Sequence, residues 1–190
     1  MIFIIILASK SPRRKELLDI LGIEYKIIVS DADENAGNEK NIKAFVSSIA
    51  KRKAFEVYGK NKSDIIIAAD TVAITKKRQI LGKPQDQADA QKMLEELSGK
   101  RHTVMTALVV KSADREVCHV ETTKVYFNKL NNGEIAAYVS SGEPMDKAGA
   151  YGIQEKGAKF IRKVKGDYFN VVGLPLSRLY NILSRDFKVL

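Results

Sequence analysis

Apolar positions fall along the chain either in short unbroken runs or at helical spacing, so strands and helices should alternate through its first half. Ile2 to Leu7 is a continuous apolar run and predicts a buried strand. The run gives way to Ala8-Ser9-Lys10-Ser11-Pro12, where Ser11 is placed to cap a helix and Pro12 to fill its first turn. Leu17, Leu18 and Leu21 would be the apolar stripe of that helix and Gly22 its stop. A second helix is predicted from about Asn41 to Tyr58, with Ile42, Phe45, Val46, Ile49, Ala50 and Val57 on one face. Ile65 to Ala69 reads as a short buried strand that delivers Asp70 and Thr71 at its end. After a turn at Lys76 to Gln79, a third helix is expected over Gln85 to Leu97, and two half-buried strands over Thr103 to Lys111 and Glu116 to Phe127. Asn131 and Glu134 have the spacing of a capping box for a helix ending at Gly142, and a last helix should cover Pro175 to Asp186. Alternating elements followed by a hairpin predict an α/β protein with a mixed sheet.

Composition narrows the class. The 190 residues are 45% hydrophobic and 29% charged, with 12 Gly and 4 Pro, which excludes a disordered or collagen-like chain, and the length predicts one domain over residues 1–190, either compact or as two lobes around one cleft. A single cysteine, Cys118, excludes an internal disulfide framework, and two histidines exclude a histidine-rich metal site. The opening apolar run is far shorter than a spanning helix and lacks the basic region and cleavage site of a signal peptide, so a cytoplasmic protein with no membrane partner is expected. Lys and Arg total 32 against 23 Asp and Glu, a net charge of +9 that suits anionic partners or simply solubility. Without Trp, and with its Tyr and Phe scattered, the chain shows no stacking platform for single strands, and no stable nucleic-acid complex is expected.

Several residues sit where local rules disfavour them. Arg13 and Arg14 occupy a helix start, where the macrodipole opposes cations; with Ser9 in the approach loop they suit a phosphate chain, the alternative being two solvated arginines. Lys53 falls on the apolar face of the second helix, so its ammonium must either snorkel to water or meet an anion. Asp70 closes an apolar strand, a favoured place for a catalytic acid or base, though an aspartate capping the next turn reads equally well. Glu34 belongs to an acidic loop whose oxygens could serve Mg²⁺ or Mn²⁺, or merely face solvent. Lys83, between Gly82 and Pro84, is a phosphate-binding candidate outside any Walker A pattern. His102, with no nucleophile signature near it, reads as structural. Gly142 to Gln154 is rich in small residues that admit a ligand closely, and Gln154 offers an amide able to read a base edge, the alternative being a tight structural loop.

Taken together these residues resemble the Maf-like nucleoside triphosphate pyrophosphatases. The likeness lies in Leu7-Ala8-Ser9-x-Ser11-Pro12-Arg13-Arg14, Ala69-Asp70-Thr71-Val72, Gly82-Lys83-Pro84, His102-x-Val104-x-Thr106, Glu143-Pro144-x-Asp146-Lys147-Ala148-Gly149-Ala150-Tyr151-Gly152-Ile153-Gln154 and Val172-Gly173-Leu174-Pro175. The resemblance implies an elongated mixed sheet with helices, two lobes around a nucleotide cleft as in the inosine triphosphate pyrophosphatases, and metal-dependent hydrolysis of a nucleoside triphosphate to monophosphate and pyrophosphate. Carried over by position, Asp70 resembles the proton acceptor, and Arg13, Thr71 and Gln154 match the positions that set base preference, in the pattern of the dTTP/UTP branch. Ser9, Arg14, Lys53 and Lys83 would then hold the phosphates, while Mg²⁺ or Mn²⁺ would bridge phosphate oxygens with help from Glu34 or Asp70. Glu155, Lys156 and Ala68 stand where the family often has Gly. The other class of function is a non-enzymatic regulator of septum formation that binds nucleotide or nucleic acid. Oligomeric state is open, a homodimer included.

Overall fold

The opening apolar run becomes a central strand, β1 (Ile5–Leu7), whose three residues are all buried because it is paired on both sides. This computed structural model describes residues 3–33 and 41–190. β1 runs parallel to β2 (Tyr25–Ile27) and to β3 (Ile65–Ile74), in register Leu7 with Ile27 and Leu7 with Ile67. Among the described residues the sheet has seven strands in the order β2-β1-β3-β5-β6-β7, and β4 (Ile80–Leu81) pairs antiparallel with β3. The long strands β5 (Arg101–Lys111) and β6 (Glu116–Phe127) are joined by a turn closed by Ser112 N–H donating to Arg115 O at 2.8 Å. β7 (Ile161–Lys165) is antiparallel to β6. The sheet is mixed, as the alternation of elements followed by a hairpin predicts.

The helices follow their sequence signals closely. α1 (Pro12–Asp19) has Pro12 in its first turn and buries Leu17 and Leu18, but Ser11 makes no side-chain cap, contrary to expectation. α2 (Ile42–Lys60) is capped by Asn41, and α3 (Gln87–Leu97) by Asp86 rather than starting at Gln85. α4 (Asn132–Ser140) carries both halves of the Asn131/Glu134 capping box, at 2.9 Å each. α5 (Tyr168–Val172) precedes α6 (Leu176–Asn181), which continues as a π-turn over Ile182–Asp186.

The chain divides into two compact units. The first comprises Met1–Asp70, Thr106–Glu121 and Gly173–Leu190, and its buried side chains include Leu7, Leu18, Val46, Ile67, Leu108, Leu174 and Leu183. The second comprises Thr71–Met105 and Thr122–Val172. Its core gathers Leu94, Leu97, Val125, Phe127, Tyr138, Tyr151 and Phe160, with the aromatic rings meeting edge to face. Burying rings of this size dominates the apolar free energy of a core, at about 1.5–3 kcal/mol per large side chain.

Candidate active site

In the first unit, helical spacing puts Lys53 on the face of α2 that buries Val46, Ile49, Ala50 and Val57. Only 8% of Lys53 is exposed, and its Nζ donates to Asp70 Oδ1 at 2.8 Å, so the cation meets an anion rather than snorkelling. Asp70 is equally buried, in a strand otherwise built of Ile, Ala and Val apart from Thr71. Taking either charge out of water alone would cost several kcal/mol, roughly, so each requires the other.

Asp70 is not the end of its strand. β3 runs on to Ile74 because Thr71, Val72, Ala73 and Ile74 keep extended backbone and pair with β4. What ends before Asp70 is the parallel ladder: the last β1–β3 pair is Leu7 with Ile67, closed by Ala8 N–H donating to Ile67 O at 2.8 Å. Asp70 therefore emerges beyond the carboxyl end of β1, which is the chemical situation expected for an acid or base in an α/β sheet.

Ser9, also buried, follows β1 directly. Its Oγ accepts the Ser11 N–H and Arg14 Nη1, both at 3.2 Å. Arg14 Nε in turn donates to Gly173 O at 2.8 Å. The guanidinium is thus fixed at two points on the first turn of α1, where an arginine is electrostatically disfavoured unless an anion arrives. Gly173 holds φ at +121°, a conformation open to glycine, so the carbonyl that orients Arg14 depends on a residue the motif Val172-Gly173-Leu174-Pro175 supplies. Arg13, beside it, is half-buried.

In the second unit, Thr71 follows Asp70 and points to the opposite face of β3. Lys83 is exposed in the loop leading to α3, and Gln154 is exposed on the segment between Gly152 and Gly157. The Lys83 loop is tied to the turn Ala148–Ala150, which precedes that segment, by Gly149 N–H donating to Gly82 O at 2.9 Å. His102 is structural, as its surroundings in the sequence suggest: buried, 2.8 Å from the Tyr151 hydroxyl through Nε2, and pushed down to about 4 by burial. The structure therefore joins Lys53 to Asp70 and Ser9 to Arg14, and ties the loop of Lys83 to Gly149. Glu34 lies outside the described residues. Among the described residues no group of three or more His, Cys, Asp or Glu could hold a metal ion. A carboxylate oxygen such as Asp70's suits Mg²⁺ or Mn²⁺ chemically, but an ion there would take most of its ligands from phosphate and water. No helix among the described residues is long and apolar enough to cross a membrane. The sequence did not point to the carbonyl of Gly173, nor to the Glu143 carboxylate, which accepts the Tyr138 hydroxyl and the Lys156 and Gly157 N–H groups; their motifs were visible, their contacts were not.

Fold and site together define an α/β protein with a mixed sheet, a buried ion pair between a lysine of α2 and an aspartate of β3, and a tethered arginine at a helix start. The chain belongs to the Maf-like protein family, whose model matches residues 4–186. It is 48% identical over 181 residues to a protein of Bacillus cereus named dTTP/UTP pyrophosphatase, covering 95% of this chain and 94% of that one. A protein of Bacillus anthracis with the same name matches with the same identity and coverage. The solved structure of the Staphylococcus aureus Ham1 protein overlaps 65% of this chain and 71% of its own with a TM-score of 0.46 and 13% identity, a likeness too partial to bear on the fold.

Proposed function

We propose that this chain is a nucleoside triphosphate pyrophosphatase that hydrolyses dTTP and UTP to the monophosphate and pyrophosphate. What carries the reading is 48% identity, over nearly the whole of both chains, to proteins bearing that name. The buried pair of Lys53 and Asp70 supplies a chemical means. Lys53 engages Asp70 Oδ1, which leaves Oδ2 to accept a proton from the water that attacks the α-phosphorus. Lys53 also fixes the carboxylate in one rotamer, so no reorganisation is needed when the proton moves.

Arg14, held by Ser9 and Gly173, presents a preorganised guanidinium to the triphosphate, and Lys83 adds a mobile point charge. Arg13, Thr71 and Gln154 read the base. A pyrimidine 2,4-dione offers two carbonyl acceptors flanking an N–H donor; arginine can only donate, whereas the Gln amide and Thr hydroxyl can do both. Mg²⁺ or Mn²⁺, with Glu34 or Asp70 contributing oxygen, would neutralise phosphate charge when bound. The setting is read as cytoplasmic, with a nucleoside triphosphate as the partner.

Pyrophosphate release measured across a panel of triphosphates tests the reading. dTTP and UTP should turn over well above dATP and dGTP. Asp70→Asn should lower turnover by about 10²-fold or more while dTTP still binds. Near-normal turnover in that variant removes Asp70 from the chemistry, and the absence of pyrophosphate with every triphosphate leaves a binding protein instead.

A further inference from the structure

Gln154 is exposed, yet a residue that reads a base must hold one pose. Both flanks of its segment end on the same two side chains. Tyr138, buried on α4, donates its hydroxyl to Glu143 Oε1 at 2.8 Å and accepts the Gly152 N–H at 3.1 Å. Burial raises the Tyr138 pKa, which keeps the hydroxyl proton available to Glu143. Glu143 also accepts the Gly157 N–H through Oε1 and the Lys156 N–H through Oε2, each at 3.1 Å. One carboxylate thus collects three donors, holding the Lys156–Gly157 end of the segment directly and the Gly152 end through the Tyr138 hydroxyl. Gly157 is necessary to this closure: a Cβ there would lie 2.7 Å from Gly152 O and from the Tyr138 hydroxyl. Lys147, 6% exposed, adds a third tie, donating to Glu143 O at 2.7 Å and lying 3.5 Å from Glu155 Oε1. The side chain between these ties, Gln154, is left to face outward.

We propose that Glu143 and Tyr138 are positioning residues for base selection: they clamp residues 152–157 so that the Gln154 amide is presented in a fixed pose. The inference rests on the base-reading role of Gln154, and its test separates the two. In Glu143→Gln a single carbonyl oxygen remains, so an amide NH₂ must face at least one of the three donors. Tyr138→Phe removes only the bridging hydroxyl.

The readout is the ratio of kcat/KM for dTTP to that for dATP. Each variant should reduce this ratio by about tenfold, through the dTTP value, while dATP hydrolysis is little changed. In a Gln154→Ala background neither variant should move the ratio further. If Gln154→Ala lowers the ratio but Glu143→Gln and Tyr138→Phe leave it intact, the clamp is overturned and base reading stands. An equal loss on dTTP and dATP also overturns it, because a merely structural role would act on all substrates alike. If Gln154→Ala leaves the ratio unchanged, base reading by Gln154 fails and the clamp falls with it. Thermal unfolding accompanies each variant, and if Glu143→Gln does not fold, Tyr138→Phe decides alone.

Discussion

A lysine whose helical neighbours are Val46, Ile49, Ala50 and Val57 would ordinarily carry its ammonium out to water along its own stem, but the Lys53 ammonium ends 2.8 Å from Asp70 Oδ1 instead. The pair is weak evidence for stability, since two well-packed apolar residues would serve as well, and stronger evidence that the site requires a carboxylate. Arg13 poses the complementary question, because a guanidinium on the first turn of α1 can serve a phosphate or a base carbonyl. Base reading predicts that Arg13→Ala loses activity selectively on dTTP and UTP. An equal loss on every triphosphate, measured as kcat/KM across the panel, would assign Arg13 to the phosphates along with Arg14. Candidate residues for the chemistry were legible in the residue types at this scale; which side chains meet was not.

At the scale of elements, α1, α2, α3, α4 and α6 were read from local signals such as Pro12 in the first turn of α1, the helical spacing of apolar residues in α2 and α3, and the reciprocal Asn131/Glu134 pair, while the caps Asn41 and Asp86 and the short α5 went unread. β2, β4 and β7 went unread, and β2 and β7 are the two ends of the strand order. An edge strand needs no continuous apolar pattern, and β7 reads Ile-Arg-Lys-Val-Lys, with Lys165 directly opposite Lys124. Like charges there cost something in pairing and discourage a further strand from adding to the edge. The extent of β3 was also misread, since Asp70 interrupts hydrophobicity without interrupting extended backbone. The connection from α5 to α6 carries a prediction of its own. Gly173→Ala should strain the backbone by about 1–3 kcal/mol and displace the carbonyl that receives Arg14 Nε, so KM for dTTP should rise in the same direction as in Arg14→Ala. A lowered melting temperature with an unaltered KM would show that the carbonyl does not orient the arginine.

For the whole molecule, buried His102 ties stability to pH. Its folded pKa is depressed to about 4, from 6.5, by burial. Between these values the unfolded chain binds a proton that the folded chain does not, so stability falls as pH drops from about 6.5 to about 4, by about 3 kcal/mol at most. Urea unfolding at pH 7 and pH 4.5 should show a smaller loss in His102→Gln than in the parent; equal losses would mean that His102 is not buried as a neutral ring. Periodicity, one capping box and motif order were enough to establish the class of fold, the approximate extent of the longer helices and the candidate residues for the chemistry, because each depends on near neighbours in the chain. Only the tertiary structure decided that Lys53 meets Asp70 seventeen positions away, that Arg14 is held by a carbonyl 159 positions away, and that Glu143 gathers Tyr138, Lys156 and Gly157. Contacts over such separations depend on where strands and loops are laid against one another, and no local spacing of residues encodes that.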